Sequence, residues 1–144
     1  MNRVPQPHEA PSTFTIVVFS ALLSSFAYII SNIIPLALHL PKRNDLFEIF
    51  VGLVSILFGI GFVTYVLRKI YKQVSFGKIF ISGWMTVLIM SFMITIFYVI
   101  AFSKNWLPIP EGSRIIHIVP VVILKYNALG MMFSALIALI FKKQ

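Results

Sequence analysis

Lys125 is the one basic residue inside a long apolar run of this chain, and Asn127 follows two positions later. A cation in that setting pairs with an anionic substrate or lipid group, or it lays its stem along apolar surface and delivers its ammonium to the nearest headgroups. With a helix starting near Pro120, an accepted first-turn residue, Lys125 lies about 8 Å in at ~1.5 Å per residue, and headgroups are within reach. His39, His117 and Glu48 offer two imidazoles and a carboxylate, a donor set for Zn²⁺. No H-E-x-x-H or comparable spacing ties them together, so neither a metal nor another cofactor is read from them. Arg68, Lys69, Lys72 and Lys78, with Lys142 and Lys143, form a basic group that attracts anionic lipids by up to ~1 kcal/mol per charge. Plain topology determination accounts for the same residues.

Other chemistries lack their residues. The chain contains no cysteine, which excludes disulfides, thiolate metal sites, S-acylation and thiol redox work. There is no aspartate pair for intramembrane proteolysis, no P-loop and no nucleophile elbow. A small four-helix multidrug carrier would keep a carboxylate in its first span, and this one has none. A non-enzymatic protein is the expectation.

Four apolar runs position these residues, at 14–40, 46–67, 79–102 and 119–141. Each has the ~20 residues that an α-helix needs to cross ~30 Å of hydrocarbon, and none carries a carboxylate in its interior. Hydrophobic residues make up 59% of the 144 and charged residues 11%. A soluble chain of this size could not cover four fully buried helices, and continuous runs without alternation exclude a transmembrane β-barrel. The fold class is therefore all-α: a polytopic membrane protein with four transmembrane helices in a bundle. Residues 1–13 form an N-terminal tail, 14–141 the membrane domain and 142–144 a C-terminal tail. The first run exceeds the about 7–15 residues of a signal-peptide core and is read as a retained span.

Within the spans, small residues recur at intervals of three and four, the spacing that lines one helix face. The stripes are Ser20, Ser24, Ala27 and Ser31; Gly52, Ser55 and Gly59; Ser82, Thr86, Ser91 and Thr95; and Asn127, Gly130, Ser134 and Ala138. Such faces let helix backbones approach closely and hydroxyls bond across, so Ser24, Ser31, Gly52, Gly59, Gly130 and Ser134 are the expected packing residues. A polar path through Asn32, Thr64, Thr95, Lys125 and Asn127 is the alternative use of the same features. Pro35 should kink or end the first helix near Asn32. Ser12 or Thr13 is placed to cap the first helix and Ser75 the third. Trp84 and Trp106 are expected at interface levels.

The net charge of +8 comes from 12 Lys/Arg against four acidic residues. Because the basic residues gather at span ends, they point to anionic lipid rather than nucleic acid. Seven lie in the N-terminal tail, second connection and C-terminus (Arg3, Arg68, Lys69, Lys72, Lys78, Lys142, Lys143). Five lie on the other side (Lys42, Arg43, Lys104, Arg114, Lys125). The bias places both termini in the cytoplasm.

The second span ends in Tyr65-Val-Leu-Arg-Lys-Ile-Tyr-Lys, and Ser75-Phe-Gly leads into a third span that begins with the pair Ser82-Gly83. The last span ends Ala135-Leu-Ile-Ala-Leu-Ile-Phe-Lys-Lys-Gln144. In these features the chain resembles an uncharacterised family of four-span bacterial inner-membrane proteins known only as a domain of unknown function. The resemblance implies a bacterial cytoplasmic membrane and carries over no active site. The expected role is an accessory or scaffold component that meets a membrane protein partner, or a second copy of itself, through helix–helix contacts. A small oligomeric transporter or channel, with Lys125 and Asn127 near an anion or headgroup site, is the alternative.

Overall fold

The computed structural model describes residues 11–37, 45–71, 73–107 and 115–141, the side chains of 35–37, 45, 46, 115, 116 and 118 excepted. Four helices account for nearly all of them: α1 (Thr13–Ala37), α2 (Asp45–Ile70), α3 (Phe76–Ser103) and α4 (Ile115–Phe141). All four are long and apolar enough to cross a membrane. Each matches one of the apolar runs, and the chain is a four-span helical bundle.

Local chemistry sets the helix ends. Ser12 Oγ accepts the Thr15 N–H at 3.1 Å and so caps α1. Ser75 Oγ accepts the Lys78 N–H at 3.3 Å and caps α3. At the far end of α3, Asn105 takes a left-handed φ of 56°. Its N–H reaches Phe102 O at 3.1 Å, and the Trp106 N–H reaches Ala101 O at 2.8 Å. That pattern is a Schellman stop, with asparagine in the position glycine usually fills.

Both helices extend past the end or start that their proline marked. α1 does not end near Asn32 but continues through Pro35 to Ala37, and α4 begins at Ile115 with Pro120 in its second turn. One proline removes one backbone donor, and in lipid the surrounding helical bonds have no water to replace them, so the helix persists. Trp106 sits exposed just beyond α3, whereas Trp84 lies two turns inside that helix and is half-buried.

α3 packs against all three other helices, and α1 also packs on α2. α4 rests mainly on α3, touches α2 lightly and has no backbone contact with α1 among the described residues. The cross-section is thus a rhombus, with α2 and α3 on the short diagonal and α1 and α4 at the far corners. α4 is the least covered: 22% of its apolar window is buried, against 39% for α1 and 44% for each of α2 and α3.

Two core layers stack along the bundle. At the end holding the α2–α3 turn, Ile16, Val17, Val63, Leu67, Val74, Ile79 and Ala138 pack together. Towards the other end the layer is Tyr28, Ile56, Ile60, Val87, Met90, Ile94 and Tyr126. Lipid tails are as apolar as these side chains, so close packing and interhelical hydrogen bonds hold the helices together rather than expulsion of water.

Candidate functional site

Each helix contributes one side chain to a polar cluster in the second layer: Tyr28 from α1, Glu48 from α2, Tyr98 from α3 and Tyr126 from α4. The Tyr28 and Tyr98 hydroxyls lie 2.7 Å apart. Both donate to Glu48 Oε1, Tyr28 at 3.3 Å and Tyr98 over a shorter contact. The Tyr126 ring meets the Tyr28 ring edge-on, with centroids 5.9 Å apart and planes at 84°. Gly52, one turn beyond Glu48 on α2, makes room for it: a Cβ there would sit 3.0 Å from the Tyr126 hydroxyl.

Glu48 therefore does not stand as an isolated acid at the rim of the second span. It lies in the first turn of α2, half-buried, with its carboxylate turned towards α1 and α3. Two phenol donors stand in for the water such a group would otherwise need. Ionisable residues inside a span are rare and mark candidate functional positions.

The cluster was legible as a continuation of the small-residue stripes. Tyr28 follows Ser20 and Ser24 at intervals of four, and Glu48 precedes Gly52, Ser55 and Gly59 on one face of α2. Tyr98 follows Ser91 and Thr95, and Tyr126 precedes Gly130, Ser134 and Ala138. Reading the stripes as small residues alone stopped one step short of the groups they carry.

The glycines lie at close helix crossings. A Cβ on Gly59 would fall 2.7 Å from Ser24 Oγ and 3.2 Å from Thr86 Cγ2. The Gly59 carbonyl also accepts a 2.7 Å hydrogen bond from Ser20 Oγ across the α1–α2 crossing. Gly83, not among the expected packing residues, faces Ser134, whose Oγ would lie 2.8 Å from an added Cβ. Gly130 lies against Val87, with Cγ1 2.6 Å and Cβ 2.7 Å from the position of a Cβ. Ser31 stands apart from these crossings: it is half-buried, and its hydroxyl donates back to Ala27 O at 2.8 Å. The inward face of α1 turns through Tyr28 instead, leaving Ala27 exposed.

Lys125 and Asn127 are not brought together. Two residues along a helix turn the side chain by about 200°, and the two occupy different faces. Lys125 is exposed, its Nζ 6.0 Å from the Tyr126 ring centroid. Asn127 faces α3, where Nδ2 donates to Ser91 Oγ at 3.1 Å and to Ile123 O at 2.8 Å. Of the remaining candidate path residues, Thr95 donates to Ser91 O and Asn32 to Tyr28 O, each at 2.8 Å, while Thr64 lies near the opposite end of α2.

Arg68 and Lys69 end α2, and Lys78 holds its Nζ 3.3 Å from the Tyr71 ring centroid, a cation–π contact. Lys72, Lys142, Lys143 and His39 lie outside the described residues. His117 is exposed, and among the described residues no three His, Cys, Asp or Glu side chains gather as a metal set.

Comparison with protein-family models, with curated proteins and with solved structures finds no match for this chain.

Proposed function

We propose that this chain is a non-catalytic membrane bundle, an accessory or scaffold component that presents α4 to another transmembrane helix. One observation carries the reading: α4 is fastened along α3 and leaves most of its surface outside the bundle. Gly83, Gly130 and Ser134 give the α3–α4 seam its close approach, so the exposed side of α4 is held at a fixed angle. In this reading both termini face the cytoplasm of a bacterial cell, in keeping with the distribution of basic residues and with the family resemblance.

The test is photocrosslinking in native membranes from Leu136, an exposed α4 position, with Phe26 on α1 as the comparison site. A discrete adduct from Leu136 and none from Phe26 supports the reading. Equal, diffuse lipid adducts from both sites end it.

A second reading is favoured by Glu48 alone. A hydrogen-bonded carboxylate within a span is the group a proton-coupled carrier needs. In proteoliposomes, a pH-dependent flux lost in Glu48→Gln supports this reading. A Glu48→Gln flux equal to that of the unaltered protein removes it.

A further inference from the structure

A cleft of about 490 Å³ opens between the ends of α2 and α4, where the rhombus is loosest. Gly61, Thr64, Tyr65, Arg68, Lys69, Ile137 and Phe141 line it. Spacings of three and four put its α2 members on one helix face. Three properties of this lining act together.

The floor is open, because a Cβ on Gly61 would meet nothing within 4 Å. The mouth is cationic: Arg68 and Lys69 are exposed, and the Arg68 guanidinium is 5.4 Å from the centroid of the Phe141 ring. Among the described side chains no carboxylate lies beside these two cations, Glu48 being at the opposite end of α2. Between floor and mouth sits Thr64, 3% exposed, with its Oγ1 buried and without a hydrogen-bond partner. That hydroxyl has no accessible surface as it stands, so an acceptor entering the cleft reaches it once the side chain turns, and then supplies the partner it lacks.

We propose that this cleft seats one anionic phospholipid. Its phosphate lies between Arg68 and Lys69, an ester carbonyl accepts the Thr64 hydroxyl, and an acyl chain runs over Gly61 between Tyr65 and Ile137. The depth fits such a molecule. Thr64 is one helical turn below Arg68, about 6 Å at ~1.5 Å per residue, and the acyl ester lies a similar step below the phosphate. Arginine and lysine recognise the phosphate, and the apolar walls select a ligand with a tail. The inference rests on the four-span architecture and does not need α4 to have a protein partner.

The experiment is native mass spectrometry of full-length protein released from nanodiscs of equimolar phosphatidylglycerol and phosphatidylcholine. One phosphatidylglycerol should stay bound in clear excess over phosphatidylcholine. The double variant Arg68→Gln, Lys69→Gln should lower that occupancy at least fivefold. Gly61→Leu, which has room to fold, should lower it as much with every charge kept. Thr64→Val should lower it about twofold. Full occupancy in Gly61→Leu would show surface attraction without a seat and overturn the proposal. So would equal retention of both lipids, displacement by excess inorganic phosphate, or replacement of the lipid by a co-purifying protein. Failure to enter nanodiscs would instead strike the membrane-spanning reading.

Discussion

Tyr98 near the end of α3 and Glu48 at the start of α2 are fifty residues apart in sequence and joined by a hydrogen bond inside the bundle. Tyr28 adds a second donor to the same carboxylate oxygen. The pair ties α2 to α3 at the end of the bundle opposite their short connection, so these two helices are fastened at both ends.

Removing either donor should weaken the bundle. Tyr98→Phe should cost about 1–2 kcal/mol, the range for the strongest hydrogen bonds between membrane helices. Tyr28→Phe should cost less, because its contact with Glu48 is the longer. Unfolding in mixed micelles of SDS and a mild detergent, followed by tryptophan fluorescence, measures both. Equal stability of Tyr98→Phe and the unaltered protein would contradict this role.

The glycines should not respond alike to an added methyl. Gly130→Ala drives a Cβ against the β-branched stem of Val87, close to its backbone, and should cost about 1–3 kcal/mol as an overpacked site. Gly59→Ala meets first a serine hydroxyl, which can rotate away, and should cost less. Gly61→Ala meets nothing within 4 Å and should be neutral. The same unfolding assay gives the ranking, and the reverse order would refute the crossing geometry.

Two serines separate bonds between helices from bonds within one. Ser20 donates across to Gly59 O, whereas Ser25 donates back to Ala21 O in its own helix, each at 2.7 Å. Ser20→Ala should lose about 0.6 kcal/mol, the average for such bonds in a membrane. Ser25→Ala should change stability less than Ser20→Ala does. An equal effect from the two would show that the crossing bond adds nothing.

Lys125→Met should be tolerated, with stability within about 0.5 kcal/mol of the unaltered protein. The side chain is exposed, and a span counted from Val119 leaves it about 9 Å deep, where a flexible ammonium reaches the headgroups. A loss of assembly or of any ligand response would restore Lys125 to a binding role.

The four spans were plain in the sequence because lipid leaves a chain no inexpensive alternative to long apolar helices. Helix ends followed where a cap residue announced them, as Ser12 and Ser75 did. α1 runs past Pro35 and α4 begins ahead of Pro120, because each proline removes one bond from a ladder that lipid protects. The site was less legible. In the sequence Glu48 stands at the edge of an apolar run, with nothing nearby to mark it as a bundle residue. Its real environment depends on how α1 and α3 are rotated, and spans that are apolar all round give little warning of rotation. Lys125 and Asn127 illustrate the converse: neighbours in sequence, they face different surroundings once the helix turn is counted.

The rhombic cross-section has a consequence for how the chain comes together. α1, α2 and α3 form a triangle in which every helix already touches the other two. These mutual contacts need nothing from α4, although Ala138 and Tyr126 of α4 complete the two core layers. The last helix lies along α3, and its Tyr126 ring is set against Tyr28 of that three-helix body. The contact geometry thus permits a three-helix body to form first and a fourth helix to dock late.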